Sequence, residues 1–423
     1  MRMIRRLYTV LLYLLLPLVF VRLLWRSIKA PAYRRRWPER LGIFRPPEDW
    51  GGIWVHAVSV GEVQAVLPLL RRLLDENPGL QLTVTTTTPT GSARVVEQLG
   101  DQVFHVYLPY DLPLALTGFM RKVRPRELLM VETEIWPNLL HLCRRHGVYT
   151  LLANARLSAK SAARYAWLGG FTRETFARID TVAAQADADA ARFRELGVPP
   201  DRVVVTGSIK FDMRIPASLE EQVEVLRRDW GGRPVWVAGS THEGEDELVL
   251  FAHLKVLARF PQALLILVPR HPERFERVAG LCKREQLRFA RRSRPGDYGA
   301  ESQVYLGDTM GELPLLLGSA DVAFIGGSLV NTGGHNMLEA SAQGVAVCFG
   351  PHVFNFAAIS QLLTCEGAAR QVQNEGELGD QVIEWFEDAS LRAEAGEHGR
   401  RVVEKNRGAL ERLLALLPLT GRS

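Results

Sequence analysis

Cysteine is scarce. The 423 residues include four, Cys143, Cys282, Cys348 and Cys365, and no two have the spacing of a zinc site or a redox dithiol. A disulfide scaffold is excluded, and a reducing compartment fits best. No stretch is of low complexity and no segment repeats at a fixed period, which removes disordered tails and solenoids. Neither G-x-G-x-x-G nor a Walker pattern occurs, which argues against dinucleotide and ATP chemistry. The one D-x-D, Asp187-Ala188-Asp189, lies in the alanine-rich segment 185–196, where it reads as helix-surface charge. No metal ion and no cofactor is expected.

Acidic residues are nearly missing from the start of the chain. Residues 1–40 hold ten Lys or Arg against Glu39 alone, a local +9 within an overall +5, so the remainder carries −4. The sequence pI of about 9.1 therefore reports on the N-terminus, and a nucleic-acid partner is not expected. Inside this basic stretch lies the apolar run 7–21. As a helix it rises about 22 Å, short of the roughly 30 Å hydrocarbon core. Extension through Leu23, Leu24 and Trp25, with Arg22 reaching outward, makes a tilted or shallow anchor. A cleaved signal peptide would need a small-residue cleavage site, which does not follow. Arg26, Lys29 and Arg34-Arg35-Arg36 should attract anionic headgroups and hold the following domain at the cytoplasmic face of a membrane.

At this length two domains are expected. From residue 51 onward, short β-branched runs alternate with amphipathic segments, the rhythm of parallel sheets covered by helices. Strands are predicted at 53–58, 82–86, 103–107, 128–131, 149–152, 181–183 and 203–205. After a break around Pro216 and Gly231-Gly232, further strands are predicted at 235–238, 263–268, 303–306, 322–325 and 345–348. The division reads as an anchor over 1–32, a first Rossmann-like domain over 33–215, a linker over 216–232 and a second such domain over 233–423. Ligands of doubly wound sheets bind beyond the carboxyl ends of the strands. Two such edges facing one another would form an interdomain cleft.

Residues just past the strands are therefore the candidates. In His56-Ala57-Val58-Ser59-Val60-Gly61-Glu62, Glu62 is either the partner of Ser59 in a capping box or a general base for an acceptor hydroxyl. Glu132-Thr133-Glu134-Ile135-Trp136-Pro137-Asn138 puts two carboxylates at the start of a helix, either as solvated strand-end charge or as part of a sugar-binding pocket. Arg156 and Lys210, in Asn154-Ala155-Arg156-Leu157-Ser158 and Gly207-Ser208-Ile209-Lys210-Phe211-Asp212, suit anionic ligands or are surface charge.

In the second half, Ser240 and Thr241 lie where backbone N–H groups can receive an anion. The acids Glu243, Glu245 and Asp246 that follow already answer the helix dipole, however. Pro269-Arg270-His271 brings a guanidinium straight out of a strand, where Arg270 is suited to phosphate or is plain surface charge. Met310-Gly311-Glu312 permits close approach of a flat base, or belongs to a capping box from Thr309. The stretch 325–340 places Gly326, Gly327, Gly333 and Gly334, with Ser328 and Asn331, between a strand and a helix. Its backbone donors are expected to meet a phosphate, and Glu339, after Asn336, to accept the hydroxyls of a ribose.

Taken together, these segments resemble the Kdo transferases of lipopolysaccharide assembly, in unbroken order over residues 33–415. The resemblance implies a GT-B fold, CMP-Kdo (3-deoxy-D-manno-octulosonate) as donor and lipid A precursor as acceptor, at the inner membrane. The first domain would take the lipid and the second the nucleotide. By the same resemblance Glu62 is the general base, Glu132 and Glu134 form a second acidic site, and Pro269, Arg270, Met310, Gly311, Asn336 and Glu339 contact the cytidine nucleotide. Ser59, Gly61, Arg156, Lys210, Ser240, Thr241, His271, Glu312, Gly327, Ser328 and Asn331 complete the expected binding set. A UDP-sugar transferase with the same architecture and a non-catalytic membrane scaffold are the alternatives.

Overall fold

The computed structural model describes residues 2–48, 50–213 and 215–418; Met1 and residues 419–423 of the expected terminal segments lie outside them. The chain forms two compact units. The first comprises residues 1–212 together with 407–423, and the second comprises 213–406.

In the first unit seven strands, β1 Ile53–His56, β2 Leu82–Thr86, β3 Phe104–Tyr107, β4 Glu127–Val131, β5 Tyr149–Ala155, β6 Thr181–Ala184 and β7 Val203–Val205, lie in the order β3-β2-β1-β4-β5-β6-β7. Every pairing is parallel. Parallel strands covered on both faces read as continuous apolar runs, and each face has its own core. Trp54, Leu128 and Met130 point into one with Phe119, Phe176 and Phe193. Val55, Leu129 and Val131 point into the other with Leu69 and Leu70. The order reverses beside β1, whose neighbours are β2 and β4, so the edge beyond β1 and β4 is the switch point where such sheets bind ligands.

The second unit repeats the scheme with β8 Val235–Thr241, β9 Leu264–Pro269, β10 Phe289–Arg291, β11 Val304–Leu306, β12 Val322–Ile325, β13 Ala346–Phe349 and β14 Ala369–Gln371. Their order is β10-β11-β9-β8-β12-β13-β14, again all parallel, with the switch at β8 between β9 and β12. Strands β10 and β14 were not expected. They are three-residue edge strands, too short for an apolar period to register.

Three parts of the expected division differ in the structure. Residues 216–232 contain the helix Ala217–Asp229, which belongs to the second unit and packs beside the helix Leu313–Gly318. The C-terminal helix Ala409–Leu414 belongs to the first unit, because Ala409, Leu413 and Leu414 fill its second core and Asp212 accepts bonds from the Gly408 and Leu410 amides. The N-terminal helix Arg2–Lys29 is likewise joined to the first unit. Tyr8, Thr9, Leu12, Leu16, Val19, Phe20, Leu23 and Ser27 face inward at helical spacing while the rest of its apolar surface is exposed. Phe20 packs on Trp37 and Tyr110. The span Met3–Ile28 is long and apolar enough to cross a membrane.

Candidate active site

The carboxyl edge of the first sheet gathers an acidic group. After β1, Ser59 caps the helix Val60–Glu76, and Glu62 closes the capping box. One Glu62 oxygen accepts from the Val58 amide at 2.7 Å and the other from the Ser59 hydroxyl at 2.9 Å. After β4, Glu132 takes a left-handed backbone, φ 62°, and its carboxylate accepts from Lys210 Nζ at 3.3 Å. That conformation turns the chain sharply off the strand, a cost tolerated where the surroundings impose it. Glu134 accepts from the Trp136 indole at 2.9 Å.

These three carboxylates influence one another. Burial pushes Glu134 up to about 7, the Glu62 charge adding to the shift and the Trp136 hydrogen bond opposing it. Burial likewise raises Glu62 above the ordinary carboxylate range, against its bonds to Val58 and Ser59, and the Glu132 charge adds to the rise. Beneath them His56 is fully buried. Its Nδ1 faces Thr85, 2.9 Å from the hydroxyl, and burial pulls it down to about 4. His56 stood in the quoted motif but not among the candidates, since nothing local distinguishes it from a core histidine.

Not every candidate on this edge reaches the group. Arg156 is half-buried, and its carbonyl accepts from the Thr133 hydroxyl, which ties the β5 loop to the β4 loop. Gly61 is exposed and could carry a side chain without a clash. Asp189 of the D-x-D is buried and accepts from the Leu157 amide at 2.9 Å. Among the described residues, no group of three or more His, Cys, Asp or Glu is arranged to hold a metal ion.

In the second unit the glycine loop after β12 does something other than expected. The amides of Gly327, Ser328 and Leu329 donate to the Glu245 carboxylate at 2.6, 3.0 and 2.9 Å, and the His242 amide joins them at 3.1 Å. A buried carboxylate thus stands where the sequence suggests a phosphate, so Gly327 and Ser328 do not offer these donors to a ligand. Ser328 is itself fully buried, its hydroxyl bonded to the Ile325 carbonyl and the Gly350 amide. Thr241 is also buried and donates to Asp246 at 2.6 Å. Ser240 adopts φ 61°, turning the chain at the end of β8.

The surface beside this loop carries an exposed guanidinium and three histidines. Arg270 and His271 are exposed just after β9, and His242 and His335 stack with rings 9° apart and their Nε2 atoms 2.7 Å from each other. Neither His242 nor His335 is among the residues that the sequence marks as candidates. Asn336 donates to Glu339 at 3.2 Å, and burial raises that carboxyl while the Asn336 bond and the Arg270 charge oppose the rise. Met310 is exposed and Gly311 sits at φ 86° with open space about it. Glu312 pairs with Arg292 at 2.7 Å and bonds the Thr309 hydroxyl. Asn331 is exposed.

Comparison with known proteins gives the family and the fold. Residues 35–213 match a family described as 3-deoxy-D-manno-octulosonic-acid transferase (kdotransferase). The chain is 43% identical over 416 residues to the 3-deoxy-D-manno-octulosonic acid transferase of Haemophilus influenzae, with 97% of each chain covered. It is 37% identical over 431 residues to the corresponding transferase of Bordetella pertussis, with 98% of each covered. Among solved structures, a glycosyltransferase from Rickettsia africae aligns with a TM-score of 0.53 at 14% identity, over 88% of this chain and 98% of that one. At that identity the likeness speaks for the fold alone, which is GT-B. With near full-length identity of this order to two such transferases, the chain belongs to the Kdo transferase family of lipopolysaccharide biosynthesis and is a glycosyltransferase.

Proposed function

We propose that the chain transfers Kdo from CMP-Kdo to lipid A precursor in a single inverting displacement, with Glu62 as general base. The supporting observation is the carboxylate group at the switch point of the first sheet. Burial and like charge raise Glu62, and a general base works best with its pKa near the operating pH. Two of its acceptor positions hold Val58 and Ser59; a carboxylate has about four, which leaves room for a hydroxyl.

In the reaction, a primary hydroxyl of the lipid's glucosamine gives its proton to Glu62 as its oxygen bonds to the anomeric carbon of Kdo. The bond from that carbon to the cytidylate oxygen breaks, and the electron pair leaves on the phosphate. Lys210, paired with Glu132, keeps the local charge from becoming wholly negative, and a cation here favours charge that develops during transfer. Arg270, Met310, Gly311, Asn336 and Glu339 hold the nucleotide in this reading, with Arg270 facing the phosphate. The exposed apolar face of the N-terminal helix rests in the cytoplasmic leaflet of the inner membrane, which brings the lipid acceptor to the first unit.

Mass analysis of products from lipid A precursor and CMP-Kdo tests the reading directly, with one added Kdo mass as the minimum expected result. Glu62→Gln should lower turnover by about 10²–10⁴-fold with CMP affinity unchanged. Loss of CMP binding in that variant, or competition by UDP and not CMP in the wild type, would overturn the assignment.

A further inference from the structure

The N-terminal helix presents two chemically different faces. Outward it shows Leu7, Leu11, Leu14 and Leu18, each more than half exposed. Inward it reaches a polar network with Arg5, Tyr8 and Thr9. The Tyr8 hydroxyl donates to Asp111 Oδ2 at 3.0 Å, and Arg5 Nη1 donates to Asn138 Oδ1 at 3.2 Å. Asn138 Nδ2 in turn donates to Thr9 Oγ1 at 3.0 Å and to the Asp111 carbonyl at 2.8 Å, and Thr9 passes its own proton to the Arg5 carbonyl at 2.9 Å. Every one of these side chains has a partner in the network. Asn138 is fully buried and Asp111 nearly so, and buried polar networks satisfied in this way fix one arrangement of their elements.

Asp111 has a second task. Its carboxylate accepts from the amides of Asn138 and Leu139 at 3.0 and 2.8 Å, the free donors in the first turn of the helix Pro137–His146. A residue at the N-cap usually supplies this acceptor. Here the N-cap is Trp136, which has none and whose indole is committed to Glu134. The cap comes from 27 residues earlier in the chain, and the N-terminal helix holds the group that provides it.

We propose that the N-terminal helix is a working part of the transfer site, with Arg5, Tyr8 and Thr9 as positioning residues that hold the Glu134–Trp136 turn through Asp111 and Asn138. Seating the helix on the first unit and aiming the acidic group are then one event, and the contact serves the chemistry beyond tethering the chain to a membrane. The inference rests on the reading of Glu134 as part of the transfer site.

Full-length protein in detergent micelles, assayed with CMP-Kdo and lipid A precursor, separates the two roles. Tyr8→Phe leaves the outward face intact. It should sediment with phosphatidylglycerol-containing vesicles as the wild type does and keep its KM for the lipid within about twofold, while kcat falls roughly tenfold for loss of one buried hydrogen bond. Leu7→Ser combined with Leu14→Ser should show the reverse, with weaker sedimentation, raised KM and unchanged kcat at saturating acceptor. If Tyr8→Phe melts below the assay temperature, Thr9→Val, which leaves Asp111 all its donors, should show a lowered kcat with unchanged sedimentation. Wild-type kcat in whichever of these two variants is folded, or a loss confined to sedimentation and KM, reduces the helix to a tether and overturns the inference. A wild type that transfers no sugar from CMP-Kdo would instead sink the functional reading while leaving the network untouched.

Discussion

His56 Nε2 lies 4.0 Å from Glu134 Oε2 and has no hydrogen-bond partner among the described residues. With Nδ1 donating to Thr85, Nε2 carries a lone pair toward a carboxyl that burial pushes up to about 7. A neutral imidazole and a carboxyl that holds its proton near neutrality are compatible neighbours; an imidazolium and two carboxylates would be a buried cluster of charge.

The raised Glu134 group has a stability consequence with a definite sign. Its folded-state pKa of about 7 lies above the ordinary 4.5, so the folded chain holds more protons than the unfolded one between these values. Stability should fall as pH rises through that window, by at most about 1.4 kcal/mol per unit from this group. Glu134→Gln should therefore melt higher than wild type at pH 8 and equal to it at pH 5, with lower activity at both. A scan of melting temperature against pH shows it, and equal melting at pH 8 would contradict the assignment.

The histidines act at the other end of the scale. Burial pulls His56 to about 4 and His105, His253 and His335 to about 3, below the ordinary 6.5. The unfolded chain binds their protons first, so stability present above pH 6.5 is lost as pH falls toward 4. His253 bonds both the Trp236 indole and the Gln303 carbonyl. The raised carboxyls such as Glu134 oppose this trend, so a variant isolates it: in urea titrations His56→Gln should lose less unfolding free energy than wild type between pH 7 and 5, and an equal loss would contradict the assignment.

Glu245 should be intolerant of its amide counterpart. Four backbone N–H groups converge on its oxygens, and Glu245→Gln would aim an NH2 at donors. Leaving such donors unsatisfied costs about 1–3 kcal/mol. The expected result is a melting temperature several degrees lower, with CMP affinity reduced because the loop before Asn336 loses its support. Calorimetry with and without CMP would measure both.

Ser59 is bonded to Glu62 in both directions. Ser59→Ala should lower stability by about 1 kcal/mol through loss of the cap. It also removes a bond that lowers the Glu62 pKa, so the acid limb of the pH–rate profile should move to higher pH. An unmoved limb would show that a different group limits the rate there.

Much of this architecture is visible in the linear chain because it rests on local pattern. The run Trp54-Val55-His56 is buried throughout as strands covered on both sides are, and Ser59 and Glu62 are spaced for the capping box they form. Edge strands β10 and β14 left no such trace, and neither did the return of Ala409, Leu413 and Leu414 to the first core. A packing partner some two hundred residues away adds nothing to a local period.

The fold class and the chemistry past the strands follow from the chain alone: two doubly wound sheets, acids after β1 and β4, cations after β7 and β9, and an apolar basic N-terminus. Only the folded molecule decided which charges are already spent. Glu245 takes the glycine-loop amides, Asp111 caps a helix it is not part of, and Tyr8 of the N-terminal helix donates to that same Asp111. The reason is physical: strand and helix formation depend on neighbours a few residues apart, while the satisfaction of a buried polar group depends on whatever packing brings within 3 Å of it.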